Sequence, residues 1–320
     1  MNKEDLRIVF FGTPDFAVES LKRLHENGYQ IVGVVTMPDK PAGRGKHLQQ
    51  SDVKRYAVEH GLNLLQPVNL KDVTFIDQLR ELNAQLFIVI AFRMLPQVVW
   101  KMPPLGTFNL HASLLPKYRG AAPINWAVMN GDTETGVTTF FLQHEIDTGD
   151  IIQQRKIPIG RTDNVEIIHD RLMAMGADMV LSTVEGIIEG SVKRTPQTDL
   201  LAPGTVPTPA PKIYKDTCRI NWKWDAERIY NHVRGLSPYP AAWSELITPD
   251  GRRVSMKFFE TLEPVAGDGE IGRVYSDGKK FSVQCANARI EITSVQLAGK
   301  RRMNTAEFLR GFSIDGAHFE

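Results

Sequence analysis

From residue 8 to residue 142 short apolar runs alternate with amphipathic stretches of helical period, and no other feature limits the fold as much. Residues 8–11 form an apolar run ending at Gly12. Thr13 is placed to cap a helix and Pro14 suits a first helical position. Phe16, Leu21 and Leu24 then recur at near-helical spacing over 15–27, and Gly28 stops the segment. A β-branched run follows at 31–35, then a polar stretch at 37–50. Ser51 opens a helix over 52–60 that Gly61 ends. Residues 63–65 read as a short strand, 75–82 as a helix, and 86–91 as a buried strand. Residues 108–110 and 137–142 complete the strands, and 165–188 reads as a helix packing on the sheet. Apolar strands separated by amphipathic helices imply parallel βαβ units with both sheet faces covered. The first half is therefore expected to be an α/β, Rossmann-like doubly wound domain.

The pattern breaks at 197–211, where Pro203, Gly204, Pro207, Pro209 and Pro211 exclude a regular element. Beyond it, apart from a short helix at 226–233, the runs are strand-like: 243–247, 254–259, 272–275, 281–285 and 290–295. Asp277-Gly278 is a hairpin signal. Five short strands in about a hundred residues suit a smaller OB-like β-barrel. The expected organisation is a catalytic domain over 1–196, a linker over 197–211 and an OB-like domain over 212–320. A length of 320 residues accommodates two such domains.

Hydrophobic residues at 42% and charged residues at 23% exclude a mostly disordered chain, a collagen and a disulfide scaffold. No apolar run reaches the roughly 18 residues that a membrane-spanning helix needs. Charges at 1–7 are mixed, unlike a signal peptide. The two cysteines, Cys218 and Cys285, lie far apart and form neither a CxxC pair nor a framework, so a reducing cytosol is expected. The balance of 38 basic against 37 acidic side chains says nothing about a polyanionic partner.

Chemistry concentrates in Thr107-Phe108-Asn109-Leu110-His111-Ala112-Ser113-Leu114-Leu115-Pro116. Asn109 and His111 are two apart, so in a strand they share a face. They sit where that strand runs into a loop, and open α/β sheets bind ligands at the carboxyl ends of strands. An amide can stabilise an oxyanion and an imidazole can move a proton. On spacing alone, a polar strand end with a satisfied histidine is the preferred reading of the pair. Asp147 follows the strand at 137–142 and is placed to orient His111, or simply to make an Asp-Thr-Gly turn. There is no close His pair such as HExxH and no nearby thiolate, so no metal is expected.

The run FNLHASLLPKYRGAAPINWAVMNGD followed by HEIDTGDII closely resembles the formyltetrahydrofolate-dependent transferase family. Further parts agree in order: FGTPDFA, PDKPAGRGK, APKIYK, RGLSPYPAAW and LAGKRRM. The resemblance covers residues 5–312, with one departure in AFRMLP, where Arg93 stands in place of the family's usual glycine beside the pterin pocket. It implies that Asn109, His111 and Asp147 are the catalytic set, and that Ser113, Leu114, Leu115 and Pro116 form the folate-binding loop. It also implies transfer of a formyl group from 10-formyltetrahydrofolate to the α-amino group of methionine on initiator tRNA. A cytoplasmic setting and a monomer are expected.

The loop at 38–54 carries Lys40, Arg44, Lys46 and Lys54, with Gly43 and Gly45 among them. Such a loop is usually a solvated surface. With the resemblance it is expected to contact tRNA phosphates. Lys300, Arg301 and Arg302 add a second expected RNA surface. Two rival readings are a nicotinamide dehydrogenase and a non-catalytic RNA-binding protein. The first βα turn, Gly12-Thr13-Pro14-Asp15, lacks GxGxxG, and simple RNA binding leaves Asn109, His111 and Asp147 without purpose. The alternative kept open is a sister formyltransferase acting on an amino sugar nucleotide.

Overall fold

The computed structural model describes residues 2–42, 47–202 and 204–320. The chain divides into two compact units. One comprises residues 1–120, 136–157 and 169–209, and the other 121–135, 158–168 and 210–320. Among the described residues, no helix is long and apolar enough to cross a membrane.

The first unit is built on a sheet of seven strands. Their order is Ile151–Pro158, Glu134–Phe141, Thr107–His111, Leu86–Ile90, Arg7–Gly12, Gln30–Val35 and Leu64–Leu65. Arg7–Gly12 lies parallel to both Gln30–Val35 and Leu86–Ile90, and the chain winds outward from it in both directions. This is the doubly wound pattern expected from the alternation of runs. Every residue of Leu86–Ile90 is buried, as a strand covered on both faces must be. On one face Phe11 meets Phe87 with ring centroids 5.3 Å apart, within a core that includes Val9, Val35, Phe75, Leu79 and Val89. Burying one such aromatic side chain is worth roughly 1.5–3 kcal/mol.

Several boundaries have visible causes. Ser51 caps Asp52–Glu59 by accepting from the Lys54 amide at 3.0 Å. Asp72 caps Val73–Glu81 by accepting from Thr74 and Phe75. Gly28 and Gly61 leave helices with φ of 73° and 63°, in the left-handed region. The first helix differs from expectation. It runs Asp15–Glu26, with Pro14 at the cap position rather than inside the first turn. Asp15 takes the Phe16 amide at 2.8 Å, while the Thr13 hydroxyl is buried without a partner among the described residues.

The sheet is not wholly parallel. Glu134–Phe141 runs antiparallel to Thr107–His111, with Asn109 opposite Phe140 and His111 opposite Thr138. The polar stretch after the second strand contains two short paired strands, Lys40–Ala42 and His47–Gln49. The stretch expected as a plain linker is also partly ordered: Gln197–Leu200 is a 3-10 helix and Pro209–Ala210 a short strand. Proline permits both, because a 3-10 turn and an edge strand tolerate a fixed φ and a missing donor.

The second unit holds an antiparallel sheet in the order Val274–Ser276, Phe281–Gln284, Arg289–Leu297, Arg253–Thr261, Ala242–Ile247 and His318–Phe319. Met303–Asn304 pairs with Arg289–Leu297 off this path. The Asp277-Gly278 signal falls in the loop between Val274–Ser276 and Phe281–Gln284, where Gly278 has φ 84°. The outer strands meet at one bridge, Arg273 with His318, so the ladder is not closed all round as a full barrel would be. Trp222 and Phe258 fill its core, with Trp222 donating to the Ser244 hydroxyl at 3.0 Å. Cys218 and Cys285 are free and buried there, and burial pushes the Cys285 thiol up to about 12. The helices Pro123–Met129 and Ala226–Leu236 also touch within this unit. A Cβ on Gly235 would come within 2.5 Å of the Met129 side chain, so a glycine is required at that crossing.

Candidate active site

The strand Thr107–His111 carries Asn109 and His111 on one face at its carboxyl end. Asn109 is half-buried, and no described residue hydrogen-bonds its side-chain amide. His111 is buried. Its Nε2 lies 2.8 Å from the Tyr118 carbonyl, and a carbonyl only accepts, so this nitrogen carries a proton. Its Nδ1 faces the Asp147 carboxylate, with Oδ2 at 3.9 Å. That distance is too long for a hydrogen bond, so the carboxylate acts on the ring as a nearby charge. Phe140 closes one side of the imidazole edge-on, at 6.4 Å between centroids. His111 and Asp147 thus meet at the end of this strand from positions 36 residues apart, with Asn109 two residues before His111 on the same strand.

Asp147 sits in a turn with a φ of 54°, where Asp is among the few non-glycine residues at ease. Its Oδ2 accepts from the Gly120 amide at 2.9 Å, and its backbone carbonyl accepts from Gln197 at 2.8 Å. Two residues on, Gly149 lies so close to the preceding strand that a Cβ would overlap the Phe141 carbonyl. The glycine of Asp-Thr-Gly is therefore dictated locally, whatever Asp147 does.

In the segment expected to bind folate, Ser113 is fully buried and donates to the Lys117 carbonyl at 2.7 Å. Leu115 belongs to a small core with Phe140 and Ile151, and Pro116 is buried. Leu114 alone of the four keeps partial exposure; its side chain lies against Gly136, where a Cβ would meet it at 2.5 Å. Thr138 and Gln154 hold the loop: the Leu115 amide donates to the Thr138 hydroxyl, and Gln154 to the Leu115 carbonyl at 2.7 Å. Arg93 donates to the carbonyls of Pro67 and Val68, and burial lowers its pKa. Ala91, two residues before it, has φ 46°.

Lys40 is exposed at the start of its hairpin, while Arg44 and Lys46 lie outside the described residues. The basic triplet is partly neutralised, since Arg301 pairs with Glu307 and Arg302 with Glu260. Sequence reasoning missed a cavity of about 640 Å³ in the second unit, lined by Trp126, Trp224, Arg219, Lys223, Arg228 and His232. Arg228 lies over the Trp224 ring at 4.0 Å. It also missed Arg119 and Gln197, which flank the Asp147 turn. Among the described residues no group of three His, Cys, Asp or Glu side chains is placed to hold a metal.

The fold and the contents of this strand end define a class. The chain belongs to the formyl transferase family: the formyl transferase domain matches residues 6–184 and the formyl transferase C-terminal domain residues 212–313. Over 319 residues it is 60% identical to the methionyl-tRNA formyltransferase of Bacteroides fragilis, covering 99% of this chain and 98% of that one. Two solved structures share its fold. HypX from Aquifex aeolicus in complex with tetrahydrofolic acid has a TM-score of 0.63 at 21% identity, covering 96% of this chain and 47% of that one. The N-formyltransferase from Helicobacter canadensis, in complex with folinic acid and dTDP-3-aminofucose, has a TM-score of 0.61 at 18% identity, covering 90% and 98%.

Proposed function

We propose that this chain transfers the formyl group of 10-formyltetrahydrofolate to the α-amino group of methionine carried by initiator tRNA. One observation carries the reading: identity of 60% to a methionyl-tRNA formyltransferase runs through both domains and nearly the whole of both chains. An enzyme for an amino sugar nucleotide has only fold-level support, at 18% identity to the Helicobacter canadensis protein. The organisation into a catalytic domain over 1–196, a linker over 197–211 and a tRNA-contacting domain over 212–320 belongs to this proposal, as does a cytosolic setting.

The residues suit the chemistry. A free α-amino group has a pKa of roughly 7.7–8.0, so only a small bias is needed to keep the nucleophile neutral. Its attack on the formyl carbon makes a tetrahedral oxyanion. The Asn109 amide has no partner among the described residues and so has a hydrogen to give. The Nε2 proton of His111 is engaged by the Tyr118 carbonyl, which leaves Nδ1 as the end that meets reacting atoms. Between Nδ1 and Asp147 a proton released by the amine finds two bases. Leu114, partly exposed three residues beyond His111, offers an apolar contact of the kind a folate pocket requires. The donor's departing amine must be protonated, and the shared His111–Asp147 site is where that proton is held.

For the tRNA, the loop with Lys40, Arg44 and Lys46 is one contact. The cavity with Trp126, Trp224 and Arg228 supplies the mixture of stacking faces and positive charge that single-stranded nucleic acid uses. The test is formylation of methionyl initiator tRNA beside an amino sugar nucleotide, with 10-formyltetrahydrofolate as donor. Formylation of the tRNA alone is expected. Turnover of the sugar alone overturns the reading.

A further inference from the structure

Gln197 lies fifty residues beyond the turn it touches, in a proline-rich stretch that resembles a tether. It is nonetheless 3% exposed, and every part of its amide is engaged. Its Nε2 donates to the Asp147 carbonyl at 2.8 Å and to the Gly149 carbonyl at 2.9 Å. Its Oε1 accepts from Arg119, from Nε at 3.0 Å and Nη2 at 2.7 Å. Only one orientation of the amide satisfies these partners, because a flipped group would set an oxygen against two carbonyls and an NH2 against a guanidinium.

Arg119 is the middle residue of a second set of contacts. The residue before it, Tyr118, offers its carbonyl to His111, and the residue after it, Gly120, gives its amide to the Asp147 carboxylate. The segment Tyr118-Arg119-Gly120 therefore touches the imidazole, the carboxylate and, through Gln197, the backbone that carries the carboxylate. Gln197 is itself delivered firmly. Thr195 exchanges both backbone hydrogen bonds with Ile151, at 2.8 and 2.9 Å, and Gln197 then opens a 3-10 helix.

We infer that Gln197 and Arg119 are positioning residues for the proposed reaction, which set the distance and angle between Asp147 and His111. Neither touches the reacting atoms. The inference rests on the reading of Asp147 as catalytic. Asp147 is in a left-handed turn, and the side chain of such a residue is aimed by its backbone. Freeing the Asp147 and Gly149 carbonyls lets the turn rotate, and a displacement near 1 Å at a reacting group can cost about 10²-fold in rate.

The test is a double-mutant cycle between Gln197→Met and Asp147→Ala, read by single-turnover formylation of methionyl initiator tRNA. Methionine keeps the volume of glutamine and removes its hydrogen bonds. Gln197→Met alone is expected to lower the formylation rate about 10–100-fold. The KM values for tRNA and for the folate donor should stay within about twofold. In the Asp147→Ala background the same change should cost nothing further, because it acts through that carboxylate. Hydrogen exchange at the Gly120 amide should quicken in Gln197→Met, while exchange at Leu110 in the sheet stays as in the wild type. Arg119→Lys, which keeps the charge and loses the fork, should fall between wild type and Gln197→Met. It stands in as the cycle partner if Gln197→Met melts early.

Additive losses in the cycle, or a raised KM with an unchanged rate, overturn the inference and leave Gln197 a structural residue. A normal rate in Asp147→Ala overturns the catalytic reading, and the inference with it. A normal rate in Gln197→Met beside a crippled Asp147→Ala removes the inference alone.

Discussion

His111 and His232 are equally hidden from water, at 7% and 6% exposure, yet they are built for opposite ends. His111 ends a parallel strand of the first unit and has an acceptor facing each ring nitrogen, the Tyr118 carbonyl and the Asp147 carboxylate. His232 lies on the helix Ala226–Leu236 of the second unit. It is bonded to the Cys218 backbone, packed edge-on to Trp224 at 5.2 Å, and has no described partner for Nε2. Burial pushes its pKa down to about 4. What differs is what faces the second ring nitrogen: a carboxylate for His111, and no described partner for His232.

The largest effects should come from taking away what distinguishes His111. Asp147→Asn preserves shape and tolerates the left-handed backbone, and it removes the carboxylate charge. It should lower formylation by about 10²–10⁴-fold, as should His111→Ala, with folate binding retained. Asn109→Ala should cost about 10²–10³ by removing one oxyanion donor. Single-turnover rates beside folate titrations check all three, and near-normal rates in folded protein would break the comparison at its first term.

His232 should announce itself through stability rather than rate. Its folded pKa lies below the unfolded value near 6.5, so the unfolded chain binds the extra proton first. Stability should be unaffected above about pH 7 and should decline as pH falls through 6.5 toward 4. The loss at the low end is about 3 kcal/mol. His232→Phe removes the site and should flatten that part of the profile, leaving carboxylates to govern the rest. Urea midpoints followed by tryptophan fluorescence between pH 4 and 7.5 decide it. Parallel curves for the two proteins would show that His232 is not held neutral.

The smallest effect sharpens the comparison by changing neither histidine. Arg44→Ala should make the salt dependence of tRNA affinity shallower by about one logarithmic unit per unit, near a fourfold change between 50 and 200 mM salt. Folate affinity and acid stability should not move. An unchanged slope would leave the tRNA contact to the second unit.

The sequence carried the doubly wound sheet because burial on both faces writes continuous apolar runs such as Leu86–Ile90. The same property concealed direction. Glu134–Phe141 is buried in seven of eight positions and reads like its parallel neighbours, although it runs against them. Ile151–Pro158 went unread because an edge strand facing water can carry Gln153, Gln154, Arg155 and Lys156. Asn109 and His111 were legible from their spacing of two. The tie between His111 and Tyr118 was not, because a backbone carbonyl has no residue type. Gln197 was hidden in the same way: a glutamine after a proline, in a stretch rich in prolines, carries no periodic signal.

That position of Gln197 also has a meaning in time. A ribosome adds roughly 5–20 residues per second, so the fifty residues that separate Asp147 from its anchor take about 3–10 seconds to appear. Throughout that interval the nascent chain already holds Asn109, His111 and Asp147, with the turn that aims the carboxylate still untied. Gln197, the inferred anchor of the turn, is made late in the first unit, so a chain interrupted before it carries the chemical groups without that tie.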